Sequence, residues 1–213
     1  KGNIIIFNGE IFNYLELKKE LIKSGVSFKT KTDTEVILAS YRKWGSQCVT
    51  KFNGMWGFVL FDKLQNKVLI SRDRFGIKPL YYWSNNDYFV AASEIKQFPV
   101  IDGFRAEQDY DTIFQYLSQN QLNISEKTFL KNVFEVPPGS NLMYCRDYNK
   151  FKVEKYYDID DIQVDESITF EEAEDKFSNL FFKSLEMRLR SDVTVGSCLS
   201  GGLDSSSIVE GIK

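Results

Sequence analysis

Two glycines set among hydroxyls, Ser200-Gly201-Gly202-Leu203-Asp204-Ser205-Ser206, carry the clearest chemistry in this sequence of 213 residues. A glycine pair lets the backbone approach a ligand closely and adopt dihedrals closed to other residues. The β-branched run Val193-Thr194-Val195 ahead of it reads as a buried strand, and the apolar-polar pattern after it reads as a helix. Free amides and the positive dipole end at such a helix start make a seat for phosphate. Ser200, Ser205 and Ser206 add hydroxyl donors, and Asp204 beside a polyanion needs a hard cation such as Mg2+ between them. The Gly-Lys-Ser/Thr ending of the mononucleotide P-loop is absent, so this is a different phosphate cradle. The plainer alternative is a Gly-rich turn with Asp204 as a helix N-cap.

The elements that would position such groups follow from periodicity. Residues 3–7 form a buried strand, followed by Asn8-Gly9-Glu10-Ile11-Phe12-Asn13-Tyr14. Leu15, Leu17, Leu21 and Ile22 mark a helix that stops at Gly25. Thr32-Asp33-Thr34-Glu35 has capping-box spacing, and Val36, Ile37, Tyr41 and Trp44 continue a helix to Gly45. The period then falls to two: residues 55–61, 68–71, 80–83 and 88–92 read as successive strands of an antiparallel meander, an α+β layout. Val136-Pro137-Pro138-Gly139-Ser140 is a turn into a strand at 141–145, and the acidic stretch 158–167 reads as a solvated linker. From Thr169, with Glu172 at capping-box spacing, Phe170, Ala173, Phe177, Leu180, Phe181, Leu185 and Leu189 mark a long amphipathic helix. It is expected to pack on the sheet whose first strand, 193–195, ends at the glycine loop.

Bulk composition removes several classes of function. Hydrophobic residues at 43% and aromatic residues at 15% supply a packed core. Lys+Arg 27 against Asp+Glu 30 leaves a net charge of -3, which argues against a nucleic-acid partner. No apolar run reaches the roughly 18 to 20 residues of a membrane span. Cys48, Cys145 and Cys198 are odd in number and far apart, as expected of reduced thiols in a cytoplasmic protein. Histidine is absent altogether, which excludes Ser-His-Asp and Cys-His catalysis within this chain and most zinc sites. The first strand starts without a Met and the last helix is cut short, so a fragment of a longer protein is expected.

Several strings resemble known families. Ser200-Gly201-Gly202-Leu203-Asp204-Ser205 resembles the pyrophosphate loop of the ATP pyrophosphatases, which split ATP between its α and β phosphates. Asn8-Gly9-Glu10-Ile11-Phe12-Asn13-Tyr14, Thr32-Asp33-Thr34-Glu35-Val36, Arg72-Asp73-Arg74-Phe75-Gly76-Ile77-Lys78-Pro79-Leu80-Tyr81-Tyr82 and Ala92-Ser93-Glu94-Ile95-Lys96 resemble the glutaminase domain of class II glutamine amidotransferases. In that order and followed by the pyrophosphate loop, they are similar to the glutamine-hydrolysing asparagine synthetases and their close relatives.

The resemblance implies a four-layer αββα sandwich of the N-terminal-nucleophile hydrolase type over residues 1–160. It then implies an acidic linker at 161–168 and the first helix-strand-helix of an α/β ATP-pyrophosphatase domain at 169–213. It assigns an oxyanion hole to Asn8 and Gly9, whose side-chain and backbone amides can donate to a developing negative charge. It assigns the glutamine α-amino group to Asp33, with Glu10 lining the same site. Taken singly, Asn8-Gly9 reads as a turn and Asp33 as a helix cap. Cys198 and Leu199 fall where the family makes backbone contacts to adenine, and Ser200, Gly201, Gly202, Asp204, Ser205 and Ser206 where it holds pyrophosphate, with Mg2+ at Asp204 through the phosphates. Cys48 and Cys145 read as small core residues. The Arg72 to Tyr82 string reads as a buried ion-pair network in preference to a gate for ammonia.

One departure matters. The family nucleophile is an N-terminal cysteine whose own α-amine serves as base, and Lys1-Gly2-Asn3 offers no match for it. The arginine that clamps the glutamine carboxylate is absent too, so this chain alone is not expected to hydrolyse glutamine. The implied reaction of the parent is ATP-dependent transfer of glutamine nitrogen to a carboxylate through an acyl-adenylate, with aspartate the commonest acceptor. The alternatives are a relative acting on another carboxylate, as in β-lactam synthetases and surface-sugar amidotransferases, and a non-catalytic glutaminase-like module. A homodimer is left open.

Overall fold

The structure is a computed structural model that describes residues 2–121 and 125–212. The chain divides into two compact units, Lys1–Asp161 and Ile162–Lys213.

In the first unit, β1 (Asn3–Ile11), β2 (Gly54–Asp62), β3 (Lys67–Arg72), β7 (Ser140–Cys145) and β8 (Lys150–Lys155) form an antiparallel sheet in the order β1-β2-β3-β7-β8. A second antiparallel sheet runs β5 (Phe89–Ala92), β4 (Tyr81–Ser84), β6 (Val133–Glu135). Helices α1 (Tyr14–Lys23) and α2 (Asp33–Trp44) cover the outer face of the larger sheet. There Leu17, Leu21, Val36 and Ile37 bury against Phe58, Leu60 and Leu69. Between the sheets, Ile70 and Leu142 meet Leu80 and Tyr82, and Phe89 stacks on Tyr144 at 4.4 Å. Trp83, Phe98 and Val133 make a third core on the smaller sheet. Helix α3 (Tyr110–Gln119) touches Phe129 through Tyr116. Two antiparallel sheets stacked face to face with helical cover give the expected α+β sandwich.

The expected meander is not continuous. β2 and β3 pair in one sheet, β4 and β5 in the other, and the chain changes sheet between Arg72 and Tyr81. Alternation announces strands but is silent about which sheet they join. The crossover is wound around the buried carboxylate of Asp73. Its Oδ1 accepts the N–H groups of Phe75 and Ile77 at 3.1 and 2.9 Å, and its Oδ2 those of Trp56 and Lys78 at 3.1 and 3.0 Å. Arg72 clamps the same loop from below, donating to the carbonyls of Lys78, Gly76 and Val136 and pairing with Glu135 at 2.8 Å. The string from Arg72 thus has a structural role, but through side-chain hydrogen bonds to backbone with the one ion pair Arg72–Glu135 and not through the expected ion-pair network, while Phe75 and Ile77 at its tip stay exposed.

In the second unit, α4 (Phe170–Arg188) opens with a reciprocal capping box between Thr169 and Glu172. It meets α5 (Leu203–Ile212) where a Cβ added at Gly211 would come within 2.7 Å of Leu185. The strand expected at 193–195 is not formed: the segment is unpaired and Val193 and Val195 are exposed. The sheet on which α4 was expected to pack is accordingly missing among the described residues. A parallel strand is stable only with neighbours on its edges, and α4 keeps Phe170, Phe177 and Leu180 in solvent.

Candidate functional site

The end of β1 is built around close approach of two backbones. Gly9 has φ +153°, and a Cβ there would meet the Met55 carbonyl oxygen at 2.1 Å and Trp56 Cα at 2.8 Å. A Cβ on Gly54 would likewise meet the Glu10 carbonyl oxygen at 2.2 Å. Only glycines allow β1 and β2 to touch here, which holds Asn8 and Glu10 at fixed height on the face opposite Ile5, Phe7 and Ile11.

Asp33 lies in the first turn of α2, but it is not the cap. Thr32 is the N-cap, its hydroxyl accepting the Glu35 N–H at 3.4 Å. Glu35 does not return to Thr32. Its carboxylate accepts the N–H groups of Lys29 and Thr30 and the Thr30 hydroxyl, which hold it at about 2. Freed from capping, Asp33 turns its Oδ2 to the backbone N–H of Ile11 at 3.1 Å, beside Glu10. Glu10 is raised above the usual carboxylate range, first by burial and then by the charge of Asp33, with Lys78 pulling the other way. Two neighbouring carboxylates are a charge pattern that suits an ammonium group. Asn8, exposed on the same edge, reaches across to Ser93, its Nδ2 donating to Ser93 Oγ at 3.4 Å.

Thus Asn8, Gly9, Glu10 and Asp33 come together at the end of β1. Lys78 and Ser93, quoted in the sequence strings without a role, stand there too. Neither thiol of the first unit joins them. Cys48 is fully buried, with its thiol pushed up to about 12, and Cys145 pairs with Lys67 and Lys150 at the opposite end of the sheet.

In the second unit the glycine loop has the shape of a cradle. Gly201 has φ +83°, Ser200 Oγ and Ser205 Oγ lie 3.0 Å apart, and the Ser205 hydroxyl donates to the Gly202 carbonyl at 3.1 Å. Helix α5 begins at Leu203, so its first-turn N–H groups stand beside the paired hydroxyls of Ser200 and Ser205, with Ser206 in the same turn. Cys198, Leu199 and Asp204 are exposed on either side. These donors fit a diphosphate. Among the described residues no three metal-ligating side chains cluster, so a Mg2+ at Asp204 would complete its oxygen shell from phosphate and water.

A profile described as glutamine amidotransferase domain matches residues 1–157. This chain belongs to the glutamine amidotransferase domain family. A second profile, asparagine synthase, matches residues 176–211 of this amidotransferase-family chain. A relative from Methanocaldococcus jannaschii is 39% identical over 210 residues, covering 97% of this chain and 39% of its own length. Asparagine synthetase [glutamine-hydrolyzing] 1 of Bacillus subtilis is 40% identical over 210 residues, covering 98% of this chain and 32% of its own. The chain therefore spans 32% to 39% of the length of these relatives. Among solved structures, glutamine phosphoribosylpyrophosphate amidotransferase from B. subtilis, complexed with ADP and GMP, superposes with a TM-score of 0.52 at 22% identity. That match covers 73% of this chain and 29% of the other, and it shows a shared N-terminal-nucleophile hydrolase fold. No described helix is long and apolar enough to cross a membrane.

Proposed function

We propose that a full-length protein carrying this chain is a glutamine- and ATP-dependent amidotransferase that makes asparagine from aspartate in the cytoplasm. Its glutaminase domain would span residues 1–160 and its synthetase domain would begin at 169, after a linker at 161–168. The observation that carries this is the pairing, in one chain, of amide donors and two carboxylates at the end of β1 with a Ser-Gly-Gly-Leu-Asp-Ser-Ser loop opening a helix. Asp33 and Glu10 hold the glutamine α-amino group, and the Asn8 side chain with the Gly9 N–H receives the oxyanion as the amide is attacked. The attacking cysteine is supplied from outside these residues, so the chain by itself is inactive. At the second site Ser200, Gly202, Ser205, Ser206 and the start of α5 hold the leaving pyrophosphate while the aspartate carboxylate bonds to the α-phosphorus. The adenine lies against the backbone of Cys198 and Leu199. Asp204 would hold Mg2+, which would neutralise charge on the phosphates. Ammonia then displaces AMP from the activated acyl carbon, a substitution that an unactivated carboxylate does not undergo.

The test is product balance in the full-length protein supplied with glutamine, ATP, Mg2+ and aspartate. Glutamate, pyrophosphate and asparagine should appear together, and Asp204→Ala should abolish pyrophosphate release. Release that ignores aspartate would move the acceptor to another carboxylate; release unaffected by Asp204→Ala would overturn the assignment of the loop.

A further inference from the structure

We propose that Ser93 is a positioning residue for the oxyanion hole, holding the plane of the Asn8 side-chain amide from the opposite sheet. This rests on the role given above to Asn8. Asn8 is exposed, and the amide torsion of an asparagine is soft and broad. An oxyanion donor is useful only if it is aimed before charge develops. Among the described residues the Asn8 side chain has one hydrogen bond, from Nδ2 to Ser93 Oγ, across 85 positions of sequence. Ser93 is itself firmly placed. It follows Ala92, which pairs with Tyr81 in the smaller sheet, and precedes the 3-10 helix Ile95–Val100, anchored by the fully buried Phe98. The bond therefore ties β1 of one sheet to the end of β5 in the other. An Nδ2 group carries two hydrogens: one goes to Ser93, which leaves the second free to meet the oxyanion. At 3.4 Å the bond is long, as catalytic hydrogen bonds commonly are before substrate binds.

The experiment compares Ser93→Ala, Ser93→Thr, Asn8→Ala and the Ser93→Ala/Asn8→Ala pair in the full-length protein, fed either glutamine or ammonia. Ser93→Ala should lower kcat with glutamine by about tenfold, less than the roughly 100- to 1000-fold typical of losing a donor outright. KM for glutamine should stay within about twofold, because the ground state is held elsewhere. Synthesis from ammonia should be unchanged, Ser93→Thr should restore kcat, and the double variant should be no worse than Asn8→Ala. If Asn8→Ala is defective while Ser93→Ala turns over glutamine normally, or loses the glutamine and ammonia reactions alike, the positioning role is overturned and the proposed function stands. If Asn8→Ala is itself normal, or the wild type does not use glutamine, the oxyanion-hole assignment falls and Ser93 with it.

Discussion

The carboxylate of Asp33, in the first turn of α2, accepts the backbone N–H of Ile11, the last residue of β1, at 3.1 Å. That bond fixes a negative charge beside Glu10, while the other oxygen, Oδ1, accepts a long hydrogen bond from the Thr34 hydroxyl at 3.4 Å and keeps a lone pair for a ligand. Asp33→Asn keeps the size of the group and removes its charge. Losing a charge-assisted hydrogen bond costs about 1.5–3 kcal/mol, so KM for glutamine should rise by roughly 10- to 100-fold with kcat less affected. Steady-state glutaminase kinetics of the full-length protein check this.

Glycine is required at position 9 for a reason visible in the backbone. Gly9→Ala would drive a Cβ to within 2.1 Å of the Met55 carbonyl oxygen at a φ of +153°, with backbone on the far side unable to move away cheaply. It should destabilise the first unit by at least about 2 kcal/mol. Gly25 is the control: it follows α1 in a Schellman motif, with Gly25 N–H on the Ile22 carbonyl and Val26 N–H on that of Leu21, at φ +87° with nothing within 4 Å of an added Cβ, so Gly25→Asn should cost about 1 kcal/mol or less. All three tryptophans, Trp44, Trp56 and Trp83, lie in the first unit, so urea titration followed by tryptophan fluorescence reads this unit alone.

The sheet crossover should be the other stability determinant. Asp73→Asn puts a donor where the carboxylate now accepts four backbone N–H groups, leaving buried donors unpaired. A loss of about 3 kcal/mol or more is expected. Arg72→Met strands the partly buried Glu135, whose side chain is 16% exposed, and should cost about 3 kcal/mol. The same urea titration reads both.

Glu10 sets a pH dependence. Its carboxyl is raised by burial and by Asp33, so it takes up a proton at higher pH than an ordinary glutamate. As pH falls through that raised value the ammonium receptor loses charge and KM for glutamine should rise. Lys78→Met removes the one influence that lowers Glu10 and should shift this acid limb to higher pH. For folding the sign is opposite: the native state binds the proton more tightly than the unfolded chain, so ionised Glu10 costs stability as pH rises. Glu10→Gln should accordingly stabilise the unit at neutral pH while impairing glutamine binding. Parallel pH profiles of KM and of the urea midpoint test both halves.

The early elements were legible because each has an uninterrupted local signal. The run at residues 3–7 gave the first half of β1, though as an alternating strand with Ile4 and Ile6 exposed and not the buried one expected; Thr32 with Glu35 gave the start of α2, and Thr169 with Glu172 gave that of α4. What stayed hidden depends on tertiary choice or on weak patterning. β6 is three residues long, β8 is a lysine-bearing edge strand with only Val153 half-buried, and the change of sheet after Arg72 is decided by where Asp73 finds donors. Helix α3 had an available signal, the Asp109 carboxylate capping the Thr112 N–H at 3.0 Å. At the cleft, Asn8, Gly9, Glu10 and Asp33 were named from sequence and the fold brings them together. The cap reading of Asp33 gives way because Thr32 takes that position. The contribution of Ser93 could not be read from spacing, since it comes from another sheet.

Nitrogen tracing tests the central claim most directly: that the cleft at the end of β1 delivers glutamine nitrogen to a carboxylate activated at the glycine loop. The full-length protein would be given glutamine labelled with 15N at its amide, together with ATP, Mg2+ and aspartate, as the wild type and as Asn8→Ala. The wild type should place the label in asparagine; Asn8→Ala should lose that transfer by about 100-fold or more while still making asparagine from free ammonia. Transfer of label by Asn8→Ala at the wild-type rate would contradict the account.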